Sequence, residues 1–298
     1  TPINAVGISA VHTIFNVFTT ALLCPFTKQL ERFANFVIRP SKKEETYAFL
    51  DERLLGTPSI AVGEASDMTV KMATLARMTI LSAINICQSY DVKVADEILK
   101  HEDELDLYED KLGTFLVKLS SRSLSIADSR KVSNMLHTIG DFERLGDHAV
   151  NLRKTAEEIH DKHIVFSEDA VKELQNLTNA LTEILELTID AFSEHNLEMA
   201  RHVEPLEQVI DCLISAAKST HVERLQSGKC TIQNGFVLND LLTNYERVSD
   251  HCSNIAVSLI ETSAGSFDTH EYLSEVKEGG SKDYTDLYHA YTKKYALQ

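Results

Sequence analysis

The chain has no tryptophan, five prolines and eleven glycines in 298 residues. So few backbone breakers leave little material for the turns of a β-sandwich or barrel and favour long helices. Cysteine is also scarce. Cys24, Cys87, Cys212, Cys230 and Cys252 are scattered, odd in number and without a Cys-x-x-Cys, which excludes a disulfide framework or a zinc ribbon and fits reduced cytosolic thiols. Positive charge is short: 29 Lys and Arg against 45 Asp and Glu give a net charge of −16. No basic stripe of the size a nucleic acid needs is present, so that class of partner is excluded, while binding of cations fits. There is no Walker A loop, no Gly-x-Ser-x-Gly and no His-Glu-x-x-His, and no facing Glu-x-x-His pairs of the di-metal oxidase kind. No catalytic residues and no organic cofactor site are therefore expected, and the chain reads as a non-enzyme.

What is present is a repeat. Glu143-Arg144-Leu145-Gly146-Asp147-His148-Ala149-Val150-Asn151 returns 103 residues later as Glu246-Arg247-Val248-Ser249-Asp250-His251-Cys252-Ser253-Asn254, with five of nine positions identical. An aromatic residue, Phe142 or Tyr245, precedes each copy. The offset fits a small repeated domain. In a helix, Glu and Asp four apart share one face, about 5–6 Å apart at Cβ. Like charges so close call for a cation between them, either Arg or Lys or a metal ion. Upstream of each copy lies another Glu-x-x-x-Asp: Glu102 with Asp106, and Glu207 with Asp211. If the two helices of each repeat pack antiparallel, four carboxylates converge. The competing reading is a solvated helix face, with Arg144 and Arg247 pairing their own neighbours. Hard carboxylate oxygens with few thiols nearby suit divalent or iron-type metal ions. Asn151 and Asn254, eight residues after each Glu, fall on the same side. His148 and His251 point about 100° away and read as packing or supporting groups.

The two Glu-Arg-x-(Gly/Ser)-Asp-His-x-x-Asn segments resemble the signature of PhoU domains. These are paired three-helix bundles of bacterial phosphate homeostasis, and in some members the Glu/Asp-x-x-x-Asp motifs bind metal clusters. The resemblance runs from about Glu64 to Thr262. It implies one metal cluster on Glu102, Asp106, Glu143 and Asp147 and another on Glu207, Asp211, Glu246 and Asp250. It is also compatible with a homo-oligomer.

The N-terminus differs in kind. No charge precedes Lys28, and Ala5 to Phe26 is mostly apolar, long enough to span a bilayer core as a helix. Ser9, His12, Thr13, Asn16 and Thr20 form a polar stripe on it. In a membrane that stripe must face other helices or an aqueous path. It serves as interhelical glue or as a transport lining, and a buried core helix remains the soluble alternative. Lys28, Arg32, Arg39, Lys42 and Lys43 follow against Glu31 alone, which places the C-terminal side in the cytoplasm. Leu30, Phe33 and Phe36 among these bases suggest a short interfacial helix. The start on Thr1 reads as a processed or truncated piece.

His12-Thr13-Ile14-Phe15-Asn16 with Pro25-Phe26, and the connector Phe49 to Pro58, are similar to the last membrane helix and linker of the bacterial sodium/phosphate cotransporter family. That resemblance implies the C-terminal part of a sodium-dependent phosphate symporter of the inner membrane, with sodium and inorganic phosphate as its partners and everything after about residue 39 cytoplasmic. The alternative is a regulator of phosphate signalling that acts through protein partners.

The expected architecture is all-α. Residues 1–38 form the membrane and interfacial helices and 39–63 a linker. Residues 64–163 and 164–262 form two antiparallel three-helix bundles, and 263–298 a tail. Asp91 and Ser167 are candidate helix caps. Pro205 predicts a kink or restart just before Leu206. Phe267 to Leu273 is expected as a short helix or turn. Tyr284, Tyr288, Tyr291 and Tyr295 share one face and are expected to dock on a bundle.

Overall fold

Polar caps divide the helical sequence into elements. The computed structural model describes residues 5–23, 50–264 and 282–296. The chain divides into two units, Thr1–Phe49 and Leu50–Gln298. In the first, α1 spans Ala5–Leu23. The larger unit opens with a 3-10 turn, Glu52–Gly56, and continues with α2 (Pro58–Gln88), α3 (Val92–Ser120) and α4 (Ile126–Asp161). The second half holds α5 (Glu168–Glu194), the single turn α6 (Leu197–Ala200), α7 (Val203–Gln226) and α8 (Ile232–Ala264). A final helix, α9, covers Lys282–Lys294. Among the described residues there is no strand.

Each boundary has a local cause. Asp91 accepts from the Lys93 amide, Ser125 from Asp128, Ser167 from Ala170, and Asn196 from Glu198 and Met199. Each of these satisfies amides that the first turn leaves without an intrahelical partner. α7 stops at Gly228, in the left-handed region at φ 70°. Two details differ from expectation. The first bundle helix starts at Pro58, inside the expected linker, because Pro at the first helical position loses no hydrogen bond and brings a preset φ. The break near Pro205 falls earlier, at Arg201–His202, so the proline sits in the first turn of α7 where its missing N–H costs nothing. The expected interfacial helix, residues 39–49 of the expected linker and the expected turn at Phe267–Leu273 lie outside the described residues.

α2, α3 and α4 pack on one another, and so do α5, α7 and α8. The two bundles join through equivalent elements, α2 against α5 and α4 against α8, which is the self-complementary pattern of a two-fold. Met72, Ile80, Leu105, Leu116, Leu145 and Leu152 fill the first core, fully buried. Phe142 meets Phe192 edge-on across the junction, with ring centroids 5.0 Å apart, and Arg77 pairs with Asp190 at 2.9 Å. The tyrosine face of α9 docks as expected. The Tyr291 hydroxyl lies 3.0 Å from His202 Nδ1, the Tyr288 hydroxyl lies 3.7 Å from Cys212 Sγ, and Asn176 donates to the Tyr295 carbonyl at 2.7 Å.

Candidate metal centre: two carboxylate faces

The repeated segments lie on α4 and α8, and the upstream pairs on α3 and α7. In the second bundle one oxygen each of Glu207, Asp211 and Asp250 lies within 4.8 Å of the others. Among the described residues this is the one group of three or more acidic, His or Cys ligands drawn so close. Glu207 is buried, and Gln208 donates to its Oε2 at 3.0 Å. Glu246, the fourth expected ligand, is held by Lys218 Nζ at 2.7 Å. Arg247 pairs with Asp250 Oδ2 at 3.1 Å, so the intrahelical pairing weighed from sequence is made as well. The Arg247 side chain is 60% exposed. Lys218 and Arg247 thus each pair with one of the four carboxylates.

The first bundle repeats the face in a looser form. Arg144 holds Asp147 Oδ2 at 2.6 Å and lies 3.5 Å from Glu143 Oε2. Glu102 is raised above the usual carboxylate range by burial and then by the charges of Asp106, Asp103 and Asp147. Burial and then Asp147 raise Asp106 and Glu143 in the same sense. The four expected residues therefore feel one another, but no three of them close as Glu207, Asp211 and Asp250 do. Gly146 lets α3 approach α4: a Cβ there would stand 2.8 Å from Leu105 Cδ1. Its counterpart, Ser249, is fully buried with its hydroxyl turned back to the Glu246 carbonyl at 2.8 Å.

The histidines do something else. His148 Nδ1 lies 3.0 Å from Asn244 Oδ1, and His251 Nδ1 lies 2.8 Å from Asp141 Oδ1. The two rings face each other at 5.4 Å. Asp141 and Asn244 are themselves 103 residues apart, so the same contact is made twice across the α4–α8 seam. Burial, foremost, holds His148 below the usual imidazole range. Asn254 donates to Asp141 Oδ1 at 3.3 Å, which ties it to this seam, while Asn151 is exposed. Lys218, Asp141 and Asn244 escaped the sequence reading. The last two carry a signal, being polar at matching positions just before the aromatic residue of each copy.

The sequence profile of the PhoU domain family matches residues 69–156 and again 174–259, once in each bundle. The chain belongs to the PhoU domain family. The chain is 24% identical to a phosphate-specific transport system accessory protein PhoU homolog of Clostridium acetobutylicum, over 64% of this chain and 87% of that protein. It is 21% identical to a putative inorganic phosphate export protein, YjbB, of Salmonella typhimurium, over 84% of this chain and 47% of that protein, so it spans about half of that relative. The crystal structure of PhoU from Pseudomonas aeruginosa superposes with a TM-score of 0.63 at 20% identity, over 68% of this chain and 97% of that one. The PhoU fold accounts for α2 to α8, while α1 and α9 lie outside the matched segments.

The PhoU resemblance implies metal on these faces, and the donor set of the second face fits. Its oxygens are hard donors, and two oxygens on one cation at 2.0–2.6 Å stand at most about 5 Å apart. Glu207, Asp211 and Asp250 meet that limit; the first face meets it only if Glu102, Asp106, Glu143 and Asp147 draw together.

The membrane expectation rests on α1. Among the described residues, the helix long and apolar enough to span is α2, which forms part of the first bundle's core. α1 has 19 residues, a length of about 28 Å. The apolar side chains of Val11, Ile14, Phe15 and Phe18 point outward within their unit, Phe15 being 65% exposed. Asn16 Nδ2 and His12 Nε2 hydrogen-bond each other at 3.0 Å, so two groups of the polar stripe satisfy one another inside the helix.

Proposed function

We propose that this chain is a regulatory module of phosphate transport whose carboxylate faces bind a divalent or iron-type cation. The observation that carries the reading is the double PhoU match, one per bundle, with the acidic pairs in register in both. Relatives over this region are phosphate-transport accessory proteins, and the inferred partner is therefore phosphate-transport machinery on the cytoplasmic side of a membrane. Glu207, Asp211 and Asp250 would hold the cation directly, and Lys218 and Arg247 set how much negative charge the face retains. A bound cation supplies positive charge with positions left open to water or an oxyanion. Metal analysis of protein purified without chelator tests this. The expected result is a divalent or iron-type ion, lost in the Asp211→Asn/Asp250→Asn variant. A metal content unchanged in that variant would refute the assignment.

A second reading has its own support. The alignment to the putative exporter covers 84% of the chain, against 64% for the accessory protein, so likeness runs beyond the paired bundles. α1 has the length and the outward apolar face of a membrane helix. On this reading the module is joined to a phosphate-moving membrane domain, and sodium coupling follows from the cotransporter resemblance. Phosphate flux into vesicles carrying the full-length parent protein decides it. Flux that needs a sodium gradient supports the symporter. Flux without that need supports a phosphate carrier of another kind, and no flux from a correctly inserted protein refutes the fusion.

A further inference from the structure

A second concentration of charge, opposite in sign to the carboxylate faces, lies where the first turns of α4 meet the ends of α5 and α8. Arg130, Lys131 and Asn134 of α4, His195 at the end of α5, and Thr262 and Ser263 of α8 line a cavity of about 290 Å³. In a chain of net charge −16, such a lining is unexpected. Arg77, Arg144, Lys218, Arg224 and Arg247 all spend their charge on a carboxylate. Among the described residues, Arg130 and Lys131 make no ion pair. Asp128, in the same turn, has its Oδ2 turned to Ser125 and Ser59 at 2.9 and 3.3 Å. Glu261 is buried on α8 and is not part of the lining.

Three further observations point inward. Asn134 is only 4% exposed, and its Oδ1 accepts from Ser258 Oγ at 3.1 Å. With that oxygen engaged, Nδ2 is the polar atom of the amide for which no hydrogen bond is made among the described residues. α4 is 36 residues long, and the positive end of its dipole lies at this mouth. His195 is one of two non-glycine residues in the left-handed region among the described residues, at φ 51°. Burial and then the Lys131 charge hold its imidazole below the usual range, with no carboxylate among the causes.

We propose that this cavity binds a phosphate group, either free orthophosphate or the phosphoryl end of a monoester. An Arg fork and a Lys suit a tetrahedral dianion, and the Asn134 amide adds a neutral donor. The Ser263 hydroxyl donates to the Leu259 carbonyl at 2.8 Å and so has its acceptor side left, and the Thr262 hydroxyl can also accept, so the pair matches the P–OH of a monohydrogen phosphate, which sulfate lacks. The site needs no metal and is independent of the carboxylate faces.

The test is titration calorimetry on the full chain in excess chelator, which silences any metal-borne phosphate binding at the acidic faces. The probes are orthophosphate, phenyl phosphate and sulfate. Saturable binding of either phosphate is expected, weakened about tenfold or more in Arg130→Ala/Lys131→Ala and restored by Arg130→Lys/Lys131→Arg. Both positions are exposed, so the variants keep the fold; their helical circular dichroism and melting temperature verify this. Tighter binding of orthophosphate marks the free ion as the ligand, and tighter binding of phenyl phosphate marks a phosphorylated molecule. No saturable binding of either, or binding undiminished in the double alanine variant, would overturn the proposal. Equal affinity for sulfate would overturn the assignment to phosphate.

Discussion

Asp250→Asn should stabilise the metal-free protein and remove its response to cations. The substitution keeps the shape and deletes one charge from a cluster whose oxygens lie within 4.8 Å. Two unit charges at that separation repel by about 0.9 kcal/mol at the dielectric of water and about 3.5 kcal/mol at an effective value of 20. The Asp250 side chain is 34% exposed, so the lower end applies to each of its two neighbours. Losing the exposed Arg247 pair returns up to about 1 kcal/mol. The net expectation is a gain of about 1 kcal/mol, or about 2–4 °C in melting temperature for a unit of this size. A cation at a hundredfold excess over its Kd adds about 2.7 kcal/mol to the wild-type protein, and this increment should vanish in the variant. Scanning calorimetry with chelator and then with Mn²⁺ reads both effects, and suits a chain without tryptophan. If Asp250→Asn destabilises the protein in chelator, the repulsion argument fails. If wild type and variant respond equally to Mn²⁺, the cation binds elsewhere.

Three further perturbations test the same structure. Glu102, Asp106 and Glu143 have raised pKa values, so their charged forms cost stability above the raised values and that cost is relieved as pH falls through them. In chelator, the urea midpoint of Glu102→Gln/Glu143→Gln should therefore exceed that of wild type at pH 7.5, with the gap closing toward pH 5; a constant gap would refute the linkage. Gly146→Ala places a Cβ 2.8 Å from the buried Leu105 Cδ1. Overpacking costs about 1–3 kcal/mol against a helix gain of about 1 kcal/mol, so a lower urea midpoint is expected, and a rise would mean that α3 gives way. Arg224 and Glu173 form a fork of 2.8 and 2.9 Å with side chains 8% and 12% exposed. Glu173→Ala should cost about 3–5 kcal/mol by leaving the guanidinium buried alone, while Glu173→Leu/Arg224→Met should recover most of it.

The helices were legible because the signals that form them are local. Asp91 and Ser167 sit where hydrophobic periodicity begins, and the structure uses both as caps. The break at Pro205 was misplaced by three or four residues because a proline announces that a helix interior is interrupted, not whether it stands before or after the break. The carboxylate faces were legible as pairs, since four residues apart on a helix fixes a shared side. What closes a face was not. Lys218 reaches Glu246 from another helix, and nothing in its own neighbourhood distinguishes it from other lysines. The basic cavity was invisible for the same reason: its lining comes from α4, α5 and α8, and Arg130 and Lys131 are conspicuous only once carboxylates are seen to face elsewhere.

The differences between the copies bear on what the duplication does. At the seam the contact is made twice, but once with a carboxylate, Asp141 to His251, and once with an amide, Asn244 to His148. On the acidic faces Gly146 opposes Ser249, and the position matching Lys218 on α7 is Gly113 on α3. The first face therefore lacks the lysine that turns Glu246 out of the second. With no lysine at that position, Glu143 has Arg144 3.5 Å away, and burial and then the Asp147 charge raise its pKa. The second face has already drawn three oxygens together and spent its fourth carboxylate on Lys218. Two faces built on one plan thus differ in charge and in closure, and cations should load the second before the first. Titration of Mn²⁺ into Lys218→Ala separates the two. Freeing Glu246 should strengthen the second site and widen the gap between the two binding steps, whereas an unchanged titration would mean that Glu246 plays no part in either.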